Sequence, residues 1–394
     1  MLWRRAMLRV LTLASLFPHG LKPTLGLFVE RQTLGLAARD DVELEVVSPI
    51  GRPAWPLSLH PHYASLDALP EREAWKGVTV HRPRFRVWPR FGEAGAARRV
   101  ADALLPLLRE LRGRFPFDVI DAEFFWPDGP AAVRLGGALG VPVSIKARGS
   151  DIHYWGGRAG ISGQIVAAGQ KADGLLAVSA ALKADMAALG MPGEAIRVHH
   201  TGVDLDRFQP VDRVAAKAAL GVAGPLIVTA GHLNERKGQR IAVEALARLP
   251  EASLLLIGDG PDRDWLERRI AAPDVAGRVR LLGVRPHEEL PALLRAADVM
   301  LLPTASEGLA NVWVEALACG TPVVTTDVGG APEVIDRPAA GRLVPRDVAA
   351  IAAAITALLA GPPAQAEVRA AAARFSWEAN RDALFAHLSE LARL

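Results

Sequence analysis

The sequence predicts an α/β fold in which two doubly wound, Rossmann-like domains face each other across a cleft. Its 394 residues are more than one ordinary hydrophobic core holds, which suggests two domains. Short apolar runs alternate with Ala- and Leu-rich helical patterns, and a stretch of turn formers and charges divides the runs into two series. Strand–helix alternation indicates parallel sheets with crossover helices, and continuously apolar strands indicate sheets that are covered on both faces.

The first series predicts the strands of an N-terminal domain over residues 1–200. In chain order these strands are Arg9–Leu16, Val42–Val47, Val119–Ala122, Val141–Ile145 and Gly174–Val178. The start of the chain, with Arg4 and Arg5 before an apolar run, imitates a signal peptide. Because that run is only eight residues long and lacks a small-residue cleavage site, a buried first strand is the better interpretation.

The second series predicts a C-terminal domain over residues 201–374, beginning with a seam at residues 201–213. Its predicted strands are Leu226–Ala230, Ser253–Ile257, Val279–Leu282, Val299–Leu302 and Pro322–Thr325. Residues 375–394 form one amphipathic helix, which we expect to pack back on the N-terminal domain. Ligands of such sheets bind at the carboxyl ends of the strands, so site residues are expected there.

Composition and charge indicate the cellular compartment of the protein and the classes of partner it can bind. The one cysteine, Cys319, lies among small apolar residues, which favours core packing in a reducing compartment, the cytoplasm. No run of about 18 uninterrupted apolar residues predicts a membrane-spanning helix. The net charge is only +3, yet residues 71–114 carry eleven Lys or Arg against five Asp or Glu.

Residues 81–92 (HRPRFRVWPRFG) concentrate this basic character. They interleave arginines with aromatic residues, namely Arg82, Arg84, Arg86 and Arg90 with Phe85, Trp88 and Phe91. This mixture suits an anionic membrane surface, where arginines meet headgroups and aromatic rings lie at the interface. A solvated basic loop accounts for the segment equally well. Nucleic acid is not expected as a partner, because no recognition motif accompanies the charge.

Four polar or glycine-rich stretches follow predicted strands of the second domain. They read GHLNERKG from Gly231, GDGPDRDWL from Gly258, GVRPHEEL from Gly283 and SEGLANVWVEALACGTPVV from Ser306. The first combines a turn glycine, Gly231, with the cations Arg236 and Lys237. The GDG turn is not a dinucleotide fingerprint and has little weight alone.

The last stretch places two acids, Glu307 and Glu315, eight positions apart around a predicted helix start. Free N–H groups at Leu309–Val312 can bind a diphosphate, and Arg236 and Lys237 can supply positive charge. No Asp-x-Asp motif stands at a strand end, so no metal is expected and these cations would stabilise the departing diphosphate instead. The residues alone are equally consistent with a structural role, in which Glu307 caps the helix and Glu315 pairs with a neighbouring basic residue.

Together these stretches resemble the donor-binding half of the retaining glycosyltransferases of family 4. The matching elements are a Gly-x-Leu…Lys-Gly loop, a Gly-Asp-Gly-Pro turn, and Glu-x7-Glu leading into EALACGTPVV, with DVGGAPEVI after it. They cover nearly all of residues 198–345. The resemblance implies the GT-B architecture, with a C-terminal donor half and an N-terminal acceptor half.

The resemblance also implies residue roles. Glu307 would accept hydrogen bonds from hydroxyls of the transferred sugar, Glu315 from the two ribose hydroxyls, and Val284 would offer backbone groups to the base. The other donor-binding positions are Gly231, His232, Gly308, Leu309, Ala310, Asn311 and Val312. His232 stands where family members carry Arg, so either Arg236 compensates or His232 itself contacts phosphate.

The N-terminal half resembles the family less closely. Gly26 stands where family members bring backbone close to the donor. Arg148 replaces the His of a His-Gly-x-Asp motif that ends here at Asp151. A guanidinium cannot act as a neutral imidazole, but it can clamp a phosphate. Asp151 either orients the acceptor or caps a helix.

The implied activity is transfer of a sugar from a nucleotide diphosphate to an acceptor hydroxyl with retention of configuration and without a cofactor. We expect a role in cell-surface polysaccharide or lipid-linked glycan synthesis, with a glycan or lipid-linked acceptor. A lipid-linked acceptor would place the protein peripherally on the inner face of the cytoplasmic membrane. The alternatives are an NDP-sugar epimerase or hydrolase on the same frame, and a non-catalytic protein that has kept the fold.

Overall fold

The computed structural model describes residues 7–88 and 92–393, and the described chain divides into two compact units. Unit 1 runs to Thr201 and resumes at Trp377, and unit 2 spans Gly202–Ser376. The seam expected from the sequence lies at residues 201–213.

The described residues of unit 1 form ten strands. They are β1 (Leu8–Leu13), β2 (Val42–Val47), β3 (Ile50–Pro53), β4 (Arg72–Trp75), β5 (Val78–His81), β6 (Arg84–Val87), β7 (Val119–Ala122), β8 (Val143–Ala147), β9 (Gly174–Ala177) and β10 (Ile196–Val198). Eight of them form one sheet in the order β10-β9-β8-β7-β1-β2-β5-β4, which is parallel except for the β4–β5 pair. β3 and β6 form a separate parallel pair.

Helices alternate with the strands of unit 1 along the chain before unit 2 begins. They are α1 (Leu27–Ala37), α2 (Pro61–Ala64), α3 (Ala96–Arg114), α4 (Asp128–Leu139), α5 (Ser150–His153), α6 (Ser162–Lys171) and α7 (Ala180–Ala188). In α3, Val100, Leu104, Leu108 and Leu111 are buried. This spacing of three to four residues gives the helix one apolar face, which packs inward.

Unit 2 contains a six-stranded parallel sheet in the order β13-β12-β11-β14-β15-β16. Its strands are β11 (Leu226–Ala230), β12 (Ser253–Ile257), β13 (Val279–Gly283), β14 (Val299–Leu302), β15 (Val323–Thr326) and β16 (Gly341–Val344). Its helices are α8 (Arg213–Ala219), α9 (Gln239–Leu246), α10 (Arg263–Arg269), α11 (Leu290–Ala296), α12 (Asn311–Ala318), α13 (Ala331–Val334), α14 (Val348–Ala360) and α15 (Gln365–Ala370). The four central strands are almost wholly buried, as their continuous apolar sequences require.

After unit 2 the chain returns to unit 1 as α16 (Trp377–Leu391). Leu384 and Leu388 are buried in a cluster with apolar side chains of the sheet and of α1, namely Leu8, Val10, Leu36, Val42, Val119 and Leu176. The predicted return of the C-terminal helix to the N-terminal domain is therefore confirmed, as is the α/β class with two Rossmann-like sheets.

The segment 81–92 differs from the sequence interpretation. Residues Arg84–Val87 form β6, and the Arg82 side chain is fully buried, where it pairs with Glu73 and donates to the carbonyl of Pro18 at 2.7 Å. The guanidinium of Arg84 donates to backbone carbonyls of nearby turns. The interpretation that Arg82 meets lipid headgroups or solvent is therefore wrong, whereas Arg84 is only partly buried. Arg90 and Phe91 lie outside the described residues.

Among the parallel strands of each large sheet, the strand order reverses at one place. In unit 1 the reversal lies between β1 and β7, and in unit 2 it lies between β11 and β14. Loops diverge to opposite faces at such a point and leave a crevice at the carboxyl ends of the strands. Of the helices in the described part of the chain, none is both long and apolar enough to span a bilayer.

Candidate active site

The candidate site of unit 2 is formed by the loops that follow β11 and β14. Because these strands are parallel neighbours, their loops (residues 231–238 and 303–310) leave the same edge of the sheet. The N–H of Ala305 donates to the carbonyl of Arg236 at 2.7 Å and joins the two loops. Topology thus brings together two stretches that lie 70 residues apart in sequence.

Glu307 and Lys237 form the charged centre of these loops. Lys237 Nζ donates to Glu307 Oε1 at 2.5 Å, and the guanidinium of Arg236 donates to the same oxygen at 3.1 Å. The side chains of Glu307 and Lys237 are only 11% and 15% exposed. Water therefore screens this pair less than it screens a surface ion pair. An ammonium carries three N–H donors, so Lys237 keeps donors for a second anionic partner.

Thr304 completes the surroundings of Glu307, although the sequence analysis did not identify it. Its buried hydroxyl lies 3.0 Å from Glu307 Oε1 and 3.2 Å from the carbonyl of Arg236. The feature of the sequence that could have identified Thr304 is its position two residues after β14. The hydroxyl links the carboxylate to both loops and fixes its orientation.

The segment after β15 fixes the backbone at Glu307. The N–H of Gly330 donates to the carbonyl of Gly308 at 2.8 Å. Gly329 has a φ of +52°, and a Cβ at this position would lie 1.8 Å from the carbonyl oxygen of Glu307. No side chain fits there, so the glycines of the DVGGAPEVI run allow a close backbone contact that positions Glu307.

Helix α12 begins at Asn311 with Ala310 as its N-cap, and no side chain caps it. The alternative in which Glu307 caps this helix is therefore wrong. The first N–H groups of a helix have no intrahelical acceptor. Those of the segment from Leu309 to Val312, directly after Gly308, remain available to an anion.

Glu315 lies one turn into α12, and its carboxylate has a different hydrogen-bond partner from that of Glu307. Its Oε1 lies 2.6 Å from Nε2 of His287, and the Glu315 side chain is largely buried. The alternative in which Glu315 pairs with a neighbouring base is thus realised in the structure. His287, in the loop after β13, was not identified from the sequence.

Three other predicted positions of unit 2 lie at strand ends. Gly231 follows β11, and the exposed His232 packs against the GDG turn, where a Cβ on Gly260 would lie 2.9 Å from its ring. Val284 follows β13 and is exposed. Among the described residues, none of the three predicted positions hydrogen-bonds to Lys237, Glu307 or Glu315.

In unit 1, Arg148 directly follows β8 and is buried against Glu123. Its Nε donates to the carbonyl of Glu123 at 2.8 Å, and its NH2 pairs with the carboxylate of the same residue. The guanidinium also lies 4.9 Å from the centre of the Phe28 ring. Arg148 is therefore held firmly, and its role as a phosphate clamp stays a prediction.

Asp151 ties together the loops that follow β7 and β8. Its carboxylate accepts the backbone N–H groups of Phe125, Arg148 and Gly149 at 3.0, 3.0 and 2.8 Å, and the side chain is fully buried. The N-cap of α5 is Gly149, not Asp151. The carboxylate therefore positions Arg148 through the backbone, and its contact with an acceptor stays a prediction.

Gly26 is the N-cap of α1 in unit 1. Its φ is +65°, and a Cβ would lie 2.1 Å from the carbonyl oxygen of Leu16. Only glycine allows this close approach in the left-handed region without strain. The predicted contact of Gly26 with a donor is not tested by this geometry.

A buried polar network surrounds Arg148. Lys146 Nζ lies 2.6 Å from Gln32 Oε1 and 2.7 Å from His199 Nδ1, and the Gln32 amide donates to Glu123. Burial, and then the charge of Arg148, lower the pKa of Lys146 to about 7. Burial and the Glu123 carboxylate raise the pKa of Asp121, whereas the charges of Arg148 and Lys146 outweigh burial and lower that of Glu123.

Two further expectations concern metal and sulfur chemistry. The described residues contain no cluster of three or more His, Cys, Asp or Glu side chains that could hold a metal ion. Cys319 is buried, and burial raises the pKa of its thiol to about 12, so it packs as an apolar residue.

Comparisons with known proteins agree with this arrangement. Residues 29–207 match the model described as Glycosyltransferase Family 4, and residues 224–361 match that of Glycosyl transferases group 1. TuaC of Bacillus subtilis (strain 168), a protein named as a glycosyltransferase of teichuronic acid biosynthesis, is 31% identical over 89% of this chain and 88% of its own length. The chain belongs to glycosyltransferase family 4.

Two other similarities concern part of the chain and the fold. The D-inositol 3-phosphate glycosyltransferase of Mycobacterium bovis (strain BCG / Pasteur 1173P2) is 41% identical over 48% of this chain and 43% of its own length. Anabaena Alr3699/HepE, solved in complex with UDP, superposes with a TM-score of 0.74 at 21% identity, over 98% of this chain and 100% of that one. The structural match shows the same GT-B fold.

Proposed function

We propose that this glycosyltransferase moves a sugar from a nucleotide diphosphate to an acceptor hydroxyl with retention of anomeric configuration and without a metal. The observation that carries the proposal is the contact of Lys237 and Arg236 with Glu307 at the point of strand reversal in unit 2. Cations for a diphosphate and a carboxylate for sugar hydroxyls are thereby adjacent. Unit 2 is the donor half and unit 1 the acceptor half in this proposal.

The proposed reaction is a front-face displacement. The bond from the anomeric carbon to the phosphate oxygen breaks, and the phosphate keeps the electron pair. The acceptor oxygen bonds to the same face of the sugar, and its proton passes to the leaving phosphate. Lys237, Arg236 and the N–H groups at the start of α12 stabilise the charge that develops on the diphosphate. Glu307 orients the sugar through its hydroxyls.

The acceptor is proposed to be a growing cell-surface polysaccharide or a lipid-linked glycan. TuaC, which this chain resembles over most of its length, is named for teichuronic acid biosynthesis. The structure of Alr3699/HepE with UDP supports a nucleotide sugar as the donor class. We further propose that the protein works in the cytoplasm.

Donor screening and two variants test the reaction. We expect one nucleotide sugar to raise the melting temperature, because a ligand at 100 times its Kd adds about 2.7 kcal/mol. Glu307→Ala and Lys237→Ala should each lower turnover about 10²- to 10³-fold while circular dichroism stays unchanged. EDTA should not lower turnover, and NMR of the product should show the donor's anomeric configuration.

The matched control is Glu267→Ala, which removes an exposed carboxylate paired with Arg263 on α10 and should leave turnover unchanged. Unchanged turnover in Glu307→Ala would refute the site. Steady conversion of the donor without any acceptor would instead indicate an NDP-sugar epimerase or hydrolase. The comparisons with known proteins do not favour this alternative.

We also propose an anionic membrane surface as a partner, through a corrected set of residues. Trp55 and Trp88 are 77% and 52% exposed, and Leu57 and Leu59 are exposed as well. Pro53 and Val87 are paired at the ends of β3 and β6, so the two tryptophans follow neighbouring strand ends. Among the described residues, Arg86 and Arg98 are exposed cations close to Trp88 in sequence. Exposed aromatics beside arginines suit the lipid headgroup region.

Flotation with phosphatidylglycerol vesicles tests this partner. We expect the protein to float with anionic vesicles at low salt, and to float less in 0.5 M NaCl or after Trp55→Ser with Trp88→Ser. Equal behaviour with neutral phosphatidylcholine vesicles would refute an anionic surface. Val214→Ser, at an exposed apolar position on α8, serves as the control.

A further inference from the structure

Glu315, His287 and Arg207 form a line of side chains in unit 2. Glu315 Oε1 lies 2.6 Å from His287 Nε2, and His287 Nδ1 lies 2.6 Å from NH2 of Arg207. The same NH2 group also donates to the backbone carbonyl of His287 at 2.5 Å. The line begins on α12, passes through the loop after β13 and ends in the seam segment before α8.

The chemistry of these groups fixes the proton on His287. A guanidinium only donates hydrogen bonds, so the ring nitrogen facing Arg207 has to accept. Nδ1 therefore carries no proton, and the single ring proton resides on Nε2, from where it is donated to Glu315. A doubly protonated ring would set an N–H of His287 against an N–H of Arg207.

The ring is held in place from several sides. It packs edge-to-face on Phe208, with ring centres 5.5 Å apart, and Phe208 is fully buried. Arg207 is itself fixed, since its N–H donates to Asp204 Oδ1 at 3.0 Å and its carbonyl accepts from Arg295 at 3.2 Å. His287 thus meets Glu315 with a preset orientation and tautomer.

The contact leaves part of the carboxylate free. His287 occupies Oε1, while Oε2 of Glu315 accepts no hydrogen bond from the residues that the structure describes. A neutral imidazole orients a carboxylate without neutralising its charge. Glu315 therefore remains a strong acceptor and presents one oxygen to a ligand with neighbouring hydroxyls.

We propose that His287 is a positioning residue that presents Glu315 to the 2′- and 3′-hydroxyls of the donor ribose, with Arg207 selecting its tautomer. This inference rests on the proposed function, because it presumes that a nucleoside diphosphate binds to unit 2. Its specific content is that His287 acts on the ribose hydroxyls alone. It should not affect the base or the diphosphate.

Calorimetric titration with paired nucleotides tests the proposal. The probes are UDP, ADP and GDP, and each is compared with its 2′,3′-dideoxy form. The variants are then tested with the ribonucleotide that binds most tightly and with its dideoxy form. For the unaltered protein we expect the dideoxy form to bind at least about tenfold more weakly. His287→Phe keeps the ring packing and should weaken the ribonucleotide about tenfold while changing the dideoxy form less than about twofold. His287→Gln, which offers one acceptor and one donor, should recover part of the loss.

The outcomes separate this proposal from the one on which it rests. A general structural defect would weaken both nucleotides alike in His287→Phe and would overturn the inference while leaving the transferase proposal intact. Equal binding of the ribo and dideoxy forms by the unaltered protein would also overturn it. No binding of any nucleotide would refute both proposals. His81→Phe, which removes a 2.6 Å contact with Glu45 in unit 1, is the control and should change neither affinity.

Discussion

Glu307 and Glu315 lie on one short stretch of chain, yet their surroundings differ. Glu307 receives two cations and a hydroxyl on a single oxygen, whereas Glu315 receives a ring nitrogen of His287. The first arrangement suits a residue beside a diphosphate. The second leaves one carboxylate oxygen for hydroxyl groups. Spacing alone predicted the two acids, but it did not predict which groups they would meet.

Residue-level prediction had a clear limit in this protein. Lys237, Arg236 and Glu307 were found because they lie in loops that follow strands whose positions were evident. Thr304, His287 and Arg207 were missed, because their importance depends on which loops the strand order makes adjacent. Glu123 has no role that the sequence predicts, since only the structure shows that it binds Arg148.

Asp128 gives a prediction at this scale. Its fully buried carboxylate accepts the backbone N–H of Ser15 at 2.8 Å. Burial raises the pKa of this carboxyl group from 3.8 to about 7, although the hydrogen bond from Ser15 opposes the shift. Between about pH 4 and 7 the unfolded chain loses this proton and the folded chain keeps it. The free energy of unfolding therefore falls as the pH rises through this window.

We expect Asp128→Asn to remove this slope. Between pH 4.5 and pH 7, this site should lower the free energy of unfolding of the wild type by about 2–4 kcal/mol, a loss that the variant should not show. Urea denaturation at both pH values measures it. Asp264→Asn, at an exposed position on α10, is the control. Parallel pH profiles of wild type and Asp128→Asn would contradict the prediction.

At the scale of elements, the ten strands predicted from apolar runs all occur, with ends that shift by a few residues. The strands that were missed are short, and most lie at sheet edges or in a separate pair, as in β16 (GRLV) and β6 (RFRV). β5 (VTVH) is an internal strand that was also missed. An edge strand needs only one neighbour and does not require an apolar run. Apolar runs therefore identify most central strands and overlook most edge strands.

The close contact between the β15–α13 turn and Glu307 gives an element-scale prediction. Gly329→Ala would force a methyl group to within 1.8 Å of the Glu307 carbonyl, so this turn or the Glu307 loop has to move. We expect turnover to fall about 10²-fold, because displacement of about 1 Å at a site can have that effect. Nucleotide-sugar turnover and thermal melting measure it.

Gly277→Ala is the matched control, because Gly277 also has a positive φ, +75°, but no atom lies within 4 Å of its Cβ position. It should lower stability by about 1 kcal/mol and leave turnover unchanged. If both variants lost activity equally, the loss would reflect backbone strain in general and not the contact with Glu307.

At the scale of the whole molecule, the chain is organised as one discontinuous unit and one continuous unit. Unit 1 depends on α16, whose Leu384 and Leu388 complete the cluster around β1 and α1. Arg39 of the α1–β2 turn also stacks on Phe385, with 3.7 Å between the guanidinium carbon and the ring centre. The return helix is thus a structural part of unit 1.

Leu388→Ala tests this organisation. Removing a fully buried leucine should lower the stability of unit 1 by about 2–5 kcal/mol. Nucleotide affinity should change little, since the proposed donor site belongs to unit 2. Calorimetric melting and nucleotide titration measure the two quantities. Val214→Ala, at an exposed position on α8, should affect neither, and a loss of nucleotide binding in Leu388→Ala would contradict the separation of roles.

The return of α16 also sets an order of events during synthesis on the ribosome. Every residue of unit 2 is translated before α16 exists, so unit 2 can close its sheet first. Until α16 is made, the apolar surface of β1 and α1 that it covers remains open, and nascent unit 1 is exposed to chaperones and to misassociation. The unit whose first strand is translated earlier is therefore the unit that finishes folding last.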